Sequence, residues 1–521
     1  MTERPPPTPP DGAYRWYVLG VLVLVYVFNF LDRNILSILA ERIKGDLGLS
    51  DDQMGFLYGT AFAVFYAIFG IPLGRLADVW DRRRLISIGL AVWSAMTALS
   101  GVARGFGELA GARIGVGVGE ASANPAAYSK LSDWFPASMR ATVLALYSTG
   151  IYIGGGIGIF LGGLIVERWD RAYPGATAPF GLHGWQVAFF LVGLPGLLLS
   201  FWVRSLREPV RGLVDGFPAP PVPHPFREFA RELAAVIPPA TLFSLKWRGA
   251  GRATLAANVV GAALLAAAAL ALTRLLGAGM QWGALAVGLY TALSWVQGLR
   301  LRDPAAFALV FGSRALILSC VGFAFLAFTG YAYALWTPPY FLRELGVKEG
   351  QLGLVLGLTA AGAGFLGVSL GGLLADRLRA SHPNGRLRVG LLAAVLTVPV
   401  AVAMLSTRNV GLAYALNFPL ALCSSMWIGP GASTVQDLVL PRMRASASAF
   451  YLLVVTFIGL ALGPYSVGRA SVALGSLRSA MLVGLGANAL AFLFLVLAGR
   501  RLPADEASRL ARARAAGEPG V

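Results

Sequence analysis

Apolar runs of about twenty residues recur from one end of the chain to the other, separated by short polar segments. Each run is long enough to cross the ~30 Å hydrocarbon core of a bilayer as an α-helix. The runs do not alternate between apolar and polar positions, which argues against the strands of a membrane barrel. The pattern therefore predicts an all-α polytopic membrane protein.

Fourteen runs qualify as membrane spans. Six form a first half, at 16–39, 53–77, 84–103, 107–130, 139–166 and 185–204. Six form a second half, at 315–341, 350–375, 388–406, 409–436, 445–468 and 477–499. Two more lie in an insertion between the halves, at 253–273 and 279–298. We number the spans of the two halves 1–6 and 7–12, and we call the two others the inserted helices.

The spans divide the chain into five parts. These are a disordered N-terminal tail (1–15), a first six-helix bundle (16–204), a central segment (205–312), a second six-helix bundle (313–499) and a C-terminal tail (500–521). The central segment starts with a proline-rich linker, continues with a short amphipathic helix that we expect at the membrane surface, and ends with the two inserted helices.

Charge indicates how the protein is oriented. Only 13% of the residues are charged and 56% are hydrophobic, as a membrane protein requires, and the net charge is +17. Lys and Arg number 29 in the loops on the side of the termini and 11 in the loops on the other side. Basic loops stay in the cytoplasm, so both tails should be cytoplasmic. The charge then reflects topology, and we expect no nucleic-acid partner.

Few residues suggest chemistry. The three histidines lie far apart in loops, and the two cysteines lie inside apolar runs, so we expect no metal, no cofactor and no enzyme activity. A membrane-embedded lipid-modifying enzyme remains the alternative from another class. The partners expected of a transporter are a small-molecule or lipid substrate, protons and membrane lipid, and we expect the chain to act as a monomer.

The two halves repeat one another. Gly154 and Gly158 in span 5 are echoed by Gly459 and Gly463 in span 11, 305 residues later. Similar matches 298 to 304 residues apart link charged motifs at the ends of spans. Their members are Gly74, Asp78, Arg82, Arg83 and Arg140 in the first half and Asp376, Arg377 and Arg444 in the second. Six spans duplicated in parallel is a transporter architecture.

The first of these motifs resembles the Gly-x3-Asp-Arg-x-Gly-Arg-Arg loop of the major facilitator superfamily, although Val79 and Asp81 depart from it. The resemblance implies two six-helix bundles that work by alternating access. An Asp at the end of a span can accept hydrogen bonds from a neighbouring helix N-terminus and an arginine. We therefore interpret the motif residues as a conformational latch. The alternative is that they only set topology.

Two further motifs are narrower. Asn29-Phe30-Leu31-Asp32-Arg33 in span 1 resembles the Asn-Tyr-x-Asp-Arg motif of Spinster-like transporters. In span 4, Arg113 precedes a Gly-x-Gly-Glu-Ala segment of the same family, here Gly117 to Ala121. The resemblance implies transport of amphipathic lipids such as lysophospholipids or sphingosine phosphate. It also implies a bacterial member, with two extra helices, in the inner membrane.

Four charges of these motifs lie inside apolar spans, where each costs at least ~2.5 kcal/mol unless it is paired or functional. We assign Asp32 and Glu120 as proton sites, with Arg113 as their modulating partner. Arg113 and Glu120 stand roughly 10 Å apart along the helix, too far for a direct pair without a kink or water. Arg33 is expected to bind an anionic headgroup. The alternative is a static network that only positions helices.

The remaining substrate candidates are polar and aromatic residues within spans 1, 4, 7 and 10. They are Asn29, Ser122, Tyr331, Trp336, Thr337, Tyr340 and Trp427. Pro338 and Pro339 are expected to break span 7. No charge lies deep in the second half, so coupling should reside in the first half. The prediction is a proton-coupled exporter of an amphipathic lipid-like substrate. Alternatives are a proton-coupled symporter of a small organic anion or sugar acid, and a multidrug efflux pump.

Overall fold

A computed structural model describes residues 12–174, 178–212 and 223–518. These ranges are built from helices and connecting turns, without a β-strand. The tail up to residue 11 and most of the proline-rich linker, residues 213–222, lie outside the described residues.

Every predicted span of the first half is found as a helix or as a pair of helices. The helices are α1 (Gly12–Leu47), α2 (Asp51–Tyr58), α3 (Thr60–Val79), α4 (Arg82–Ser100), α5 (Phe106–Glu120), α6 (Ala123–Trp134), α7 (Ala137–Ser148), α8 (Gly150–Ala172) and α9 (Gly184–Ser205). Span 2 is α2 with α3, span 4 is α5 with α6, and span 5 is α7 with α8. Helix α1 begins at Gly12, so residues 12–15 are not part of a disordered tail, because Tyr14 packs against Trp134 with ring centroids 5.3 Å apart.

The central segment and the second half are also helical. The central helices are α10 (Pro225–Val236), α11 (Ala240–Trp247), α12 (Arg252–Leu276), α13 (Gly279–Arg302) and α14 (Pro304–Phe311). The second half contains α15 (Arg314–Leu345), α16 (Glu349–Ser381), α17 (Gly385–Ser406), α18 (Val410–Ser425), α19 (Ile428–Asp437), α20 (Arg444–Val454), α21 (Leu462–Leu474), α22 (Leu477–Gly484) and α23 (Gly486–Ala507). A π-helical segment, Val455–Ala461, joins α20 to α21 within span 11. Helix α24 (Arg509–Ala515) follows in the C-terminal tail.

Eleven helical segments of the described chain are long and apolar enough to cross a membrane. They are spans 1, 2, 5 and 6, the first inserted helix α12 and all six spans of the second half. Leu264 and Leu270 of α12 are 66% and 62% exposed, and Asn258 is its one buried residue. A helix this apolar and this exposed suits a lipid environment. That both inserted helices cross the membrane remains a prediction.

Paired prolines do not interrupt span 7, contrary to the expectation. Helix α15 runs unbroken through Pro338 and Pro339. Neighbouring helices can hold such a helix together by packing and by satisfying its polar groups. Here the Trp336 indole Nε1 donates to the main-chain oxygen of Pro464 in span 11, at 2.9 Å.

The two halves meet tightly at the end of the molecule where α1 ends, which we call the far side. Span 2 lies against span 11 where Gly55 touches the main chain of Pro464, and span 5 lies against span 8 where Gly156 touches Gly357. A side chain on any of these glycines would collide with the facing backbone. Two sets of ion pairs add to this closure. Arg343 binds Asp51 at 2.7 Å and Glu41 at 2.5 Å, and Arg42 binds Glu349 at 2.8 Å.

The opposite end, where α1 begins and α23 ends, is called the terminal side. Here the ion pairs described in the structure stay within one half or tie that half to the central segment. Arg82 binds Asp133 within the first half, and Arg386 binds Asp437 within the second. The halves are therefore joined at the far side and separate at the terminal side.

Candidate substrate and proton site

A cavity of about 180 Å³ lies between the two halves near the middle of the spans. Its walls come from spans 1, 2, 4 and 5 of the first half and from spans 7, 8 and 11 of the second. The lining residues are Phe30, Arg33, Asn34, Tyr58, Phe62, Arg113, Ile151, Tyr152, Gly155, Tyr331, Ala334, Ala360 and Leu460. Two arginines thus face a wall that is otherwise aromatic, aliphatic or neutral.

Arg33 is the best-defined element of the cavity. Its Nε donates to Glu120 Oε2 at 2.6 Å, and Glu120 is completely buried. The guanidinium carbon lies 4.8, 4.4 and 4.9 Å from the ring centroids of Phe30, Phe62 and Tyr66. These faces attract the cation and fix its plane. Within the described chain, one terminal nitrogen of Arg33 has no hydrogen-bond partner, so the guanidinium has an atom left to bind another group.

Asp32 faces the interior of the first half. Its side chain is buried beside Trp93 and Thr97 of α4, which lie close enough to interact with the carboxylate, although its oxygens form no hydrogen bond of ordinary geometry with the described residues. Arg113 donates from a terminal nitrogen to the main-chain oxygen of Asp32 at 3.4 Å. The contact agrees with the equal depths expected for Asp32 and Arg113 from their positions along the helices.

Helix geometry explains why Asp32 and Arg33, adjacent in sequence, lie in different environments. Successive residues of an α-helix point about 100° apart, so Asp32 enters the bundle while Arg33 reaches the cavity. Glu120 is the last residue of α5, directly before the break that separates α5 from α6. Gly117 lies against the main chain of Phe62, and the Phe62 ring lies 4.4 Å from the Arg33 guanidinium carbon, so α5 and spans 1 and 2 meet at this point.

The arginine that binds Glu120 is therefore Arg33, whereas the sequence suggested Arg113 as the modulating partner of both acids. Arg113 still lines the cavity, with its charge 5.9 Å from the ring centroid of Phe62. Asn29 is buried beside Glu120. Ser122 donates to the main-chain oxygen of Gly119 at 2.8 Å and does not line the cavity.

Only Tyr331 among the substrate candidates of the second half lines the cavity. Trp336 and Tyr340 lie towards the far side and bond within the second half: the Trp336 indole donates to the main-chain oxygen of Pro464 in span 11, and the Tyr340 hydroxyl donates to main-chain oxygens of span 9. Thr337 is buried beside them. Trp427 stacks on Phe323 within the second half, and its indole nitrogen has no partner among the described residues.

The cavity also contains residues that the sequence analysis did not select. Tyr58, Phe62 and Tyr152 supply much of its aromatic wall, and Asn34 adds an amide. Tyr58 and Tyr152 are polar aromatics in apolar spans, but Tyr66 and Tyr147 lie in the same spans, so the sequence does not single them out. Nothing in the helical period distinguishes Phe62 from the other phenylalanines of span 2.

The first latch motif holds its own half together. Arg82 is completely buried and binds Asp133, Ser129 at 2.9 Å and Glu208 at 2.6 Å. Arg83 donates to the main-chain oxygen of Leu206 at 3.1 Å.

The other latch residues of the first half lie nearby. Arg140 donates to the main-chain oxygen of Ser132 at 3.0 Å, and Gly74 lies against Pro125. The side chain of Asp78 is exposed, and its main-chain oxygen accepts a hydrogen bond from Arg211 of the central segment.

The second copy has a matching arrangement. Arg386 binds Asp437 and lies 3.7 Å from Asp376, whose side chain is 76% exposed. Arg386 follows Arg82 by 304 residues, and Asp437 follows Asp133 by the same number. The same arginine–aspartate clamp therefore occurs in each half. Arg377 and Arg444 are exposed on the terminal side. In this conformation the motif residues hold each half together and do not join the halves.

Comparison with known proteins agrees with this architecture. Residues 22–464 match the family described as the Major Facilitator Superfamily. A solved structure of a bacterial homolog to the human lysosomal transporter Spinster, described as inward-facing and unoccupied, is 24% identical with a TM-score of 0.69. The match covers 96% of this chain and 99% of that one.

Three relatives give the range of named proteins that the chain resembles. An MFS-type efflux pump of Mycolicibacterium smegmatis is 27% identical over 92% of this chain and 89% of its own length. Protein spinster of Drosophila melanogaster is 24% identical over 89% of this chain and 63% of its own length, so the chain spans less than two thirds of that protein. The hexuronate transporter of Bacillus subtilis is 30% identical over 39% of this chain and 44% of its own length. The family match over residues 22–464 shows that the chain belongs to the Major Facilitator Superfamily.

Proposed function

We propose that this transporter exchanges protons for an amphipathic, lipid-like substrate with a zwitterionic head, such as a lysophospholipid or a sphingolipid-like molecule, and that it exports this substrate. The observation that carries the proposal is Arg33. Its guanidinium is held by three aromatic rings and retains a free nitrogen in a cavity whose remaining walls are mostly apolar. Planar guanidinium groups suit phosphate, and aromatic and aliphatic walls suit a hydrocarbon chain.

Proton coupling follows from the Arg33–Glu120 pair. A zwitterionic head can place its phosphate on Arg33 and its cation near Glu120, and a proton on Glu120 competes with that cation. Competition between proton and substrate for one site produces antiport. Asp32 is the second proposed proton site, because its buried carboxyl group has no hydrogen-bond partner among the described residues and sits one residue from Arg33.

A transport assay tests this proposal directly. In sealed proteoliposomes with an imposed pH gradient, uptake of a labelled lysophosphatidylcholine should require the gradient. Arg33→Lys keeps the charge but loses the bidentate fork, so binding should weaken about tenfold, roughly 1.4 kcal/mol. Arg75→Lys is the matched control, since Arg75 is 45% exposed and pairs with Glu228 outside the cavity. Equal binding by the wild type and Arg33→Lys would contradict the headgroup assignment.

A sugar acid or another small organic anion is the second candidate. The hexuronate transporter among the relatives favours it, and so do the amides and hydroxyls near the cavity, such as Asn34. A purely anionic substrate would displace Glu120 from Arg33 and leave a buried carboxylate that a proton must neutralise. Substrate and proton would then move together. Proton uptake on addition of hexuronate, with no response to lysophosphatidylcholine, would favour this candidate. The efflux-pump relative adds multidrug export, which broad competition by unrelated apolar drugs would reveal.

We also propose that the terminal side faces the cytoplasm of a bacterial cell and that both inserted helices cross the inner membrane. The asymmetry of Lys and Arg supports this orientation. Reporter fusions at Gly277, after α12, and at Gly312, after α14, should lie on opposite sides of the membrane. Two cytoplasmic signals would show that the inserted helices do not span.

The latch residues have their proposed role in the alternate conformation. Closing the terminal side would bring exposed Asp78 and Asp376 within reach of the opposite half, where arginines and helix N-termini can bind them. Asp78→Asn should therefore favour the conformation described here. A cysteine placed at Tyr331 should then react faster with a thiol reagent added from the terminal side, and an unchanged rate would contradict the latch.

A further inference from the structure

Arg33 is held by two kinds of contact that respond differently to a proton. Its ion pair with Glu120, at 2.6 Å, is lost when the acid is protonated. The rings of Phe30, Phe62 and Tyr66, which we call the aromatic cage, attract the guanidinium whatever the charge of the acid. The cage is therefore the support that remains for Arg33 whenever its ion pair is broken.

One ring of the cage is fixed by a polar residue that lies outside the cavity. The Asn124 amide Nδ2 donates to the Tyr66 hydroxyl at 3.3 Å, and the Tyr147 hydroxyl donates to Asn124 Oδ1 at 3.1 Å. Asn124 is not among the residues that line the cavity. A hydrogen bond at the hydroxyl keeps the Tyr66 side chain from swinging to another rotamer. Asn124 therefore sets the position of one face of the cage.

The contacts of Asn124 form a closed circuit around the first half. Tyr147 stacks on Tyr26, with ring centroids 4.4 Å apart and planes 6° apart. Tyr26 belongs to span 1, as does Arg33, so the contacts lead from span 1 through spans 2, 4 and 5 and back to span 1. All four spans of the first half that line the cavity are linked in this way.

Span 4 acts on Arg33 at two points. Glu120 is the last residue of α5, and Asn124 is the second residue of α6, so the two lie on opposite sides of the helix break. Glu120 binds the guanidinium directly, whereas Asn124 acts through the Tyr66 ring, whose centroid lies 4.9 Å from the guanidinium carbon. Loss of the first support leaves the second in place.

The second half is packed without this bridge. Tyr451 follows Tyr147 by 304 residues and is also buried, but its hydroxyl has no hydrogen-bond partner among the described residues. The same spacing puts Ile428 at the position of Asn124. The repeated helices thus pack without an amide here, which indicates that the bridge serves the charged centre of the first half and not the packing of the bundle.

We propose that Asn124 is a positioning residue, which through Tyr66 keeps the Arg33 guanidinium in the orientation that binds the phosphate of the substrate. It acts when Glu120 is protonated or contacts the cation of the headgroup, because the ion pair then no longer orients Arg33. The proposal rests on the proposed function, since it assumes that Arg33 binds a phosphate-bearing head.

Affinity for a labelled lysophosphatidylcholine, measured on the purified full-length protein in detergent, tests the proposal. Asn124→Ala removes both hydrogen bonds and should weaken binding about fivefold, the size of one cation–aromatic contact. Tyr66→Phe keeps the ring and loses the hydroxyl, so it should have a similar effect. The two changes together should cost no more than either alone, because they interrupt the same contact. If Asn124→Ala does not fold, Tyr66→Phe gives the result.

Coupling to Arg33 separates positioning from a general loss of structure. In an Arg33→Lys background, Asn124→Ala should change the affinity less than about twofold, because an ammonium group has no plane to orient. Tyr147→Phe should weaken binding slightly, whereas Tyr451→Phe, its matched control, should leave it unchanged.

Two outcomes would overturn the proposal while leaving the proposed function standing. One is an equal effect of Asn124→Ala with Arg33 and with Lys at that position. The other is wild-type affinity in both Asn124→Ala and Tyr66→Phe while Arg33→Lys still weakens binding. Absence of lysophosphatidylcholine binding by the wild type would overturn both.

Discussion

The two halves of this transporter repeat the same helices and the same ion pair, but they have different residues at their centres. Each half has the same arginine–aspartate clamp at the terminal side, in positions 304 residues apart. The same spacing places Asn417 and Ser424 of the second half at the positions of Arg113 and Glu120. Where the first half buries charges, the second half has neutral groups.

Neutral hydrogen bonds hold the centre of the second half. Thr329 donates to the side chain of Asn488 at 2.6 Å, and Asn488 donates to the main-chain oxygen of Ala394 at 3.2 Å. A neutral network of this kind avoids the cost of charge in the membrane. Under the proposed function, the first half would bind protons and the headgroup, and the second half would supply a neutral wall.

The largest expected effect comes from breaking the buried ion pair. Arg33→Leu leaves Glu120 buried without a cation, which should lower the free energy of unfolding by ~3–5 kcal/mol and abolish transport. Arg33→Leu combined with Glu120→Leu should restore most of the stability, measured by thermal unfolding in detergent, but not transport. Arg75→Leu, at an exposed pair, should cost below about 1 kcal/mol. Full transport by the double variant would show that the pair only positions helices.

Asp32→Asn should abolish transport driven by the pH gradient and change the free energy of unfolding little. Because an amide has nearly the size of the carboxylate and can keep its contacts with Trp93 and Thr97, the free energy of unfolding should stay within about 1 kcal/mol of wild type. Gradient-driven transport should be lost, while exchange of substrate at equal pH on both sides continues. Asn417→Leu is the matched change in the second half and should leave the response to the pH gradient intact. Gradient-driven transport at the wild-type rate in Asp32→Asn would remove Asp32 from the coupling mechanism.

The repeated clamp should be unequal in strength. Arg82 is completely buried with three side-chain partners, whereas the side chain of Arg386 is 20% exposed. Arg82→Ala should therefore cost ~3 kcal/mol, as expected when buried Asp133 loses its partner, and Arg386→Ala about 1 kcal/mol. Thermal unfolding of the two variants under identical conditions measures the difference. Equal losses would mean that burial does not set the strength of the clamp.

The smallest effect is expected at the cap of α4. The Asp81 side chain accepts a hydrogen bond from the Arg84 amide at 3.0 Å, while the matching helix α17 begins after Asn384 without a side-chain cap. Burial raises the pKa of Asp81, but hydrogen bonds from Arg83 and Arg84 outweigh it and hold the pKa below its usual value.

A lowered pKa means that the cap stabilises the fold at neutral pH and loses that contribution as the pH falls through the pKa of the folded state. Asp81→Asn should cost below about 1 kcal/mol at pH 7, because the site is partly solvated. Its difference from wild type should shrink towards pH 3, measured by thermal unfolding as a function of pH. A difference that grows with acidity would contradict the lowered pKa.

Sequence alone determined the helices, the duplication and the depth of the buried charges. All fourteen predicted spans are helices, because apolar length and turn residues act locally along the chain. The equal depth of Asp32 and Arg113 also followed from counting residues along straight helices, and the contact between them agrees with it. The repeat of Gly154 by Gly459 predicted two related bundles.

Only the tertiary structure decided which groups meet. Counting residues along a helix gives depth, but the direction in which a side chain points, and what lies opposite, depend on how distant helices pack. Glu120 therefore binds Arg33 instead of Arg113. Trp336 and Tyr340 bond to neighbouring helices of the second half, and of the substrate candidates predicted in that half only Tyr331 lines the cavity in the described chain. The sequence also could not predict that α13 packs against spans 2 and 11. The apolar residues of a helix do not specify which other helices it contacts in the bilayer.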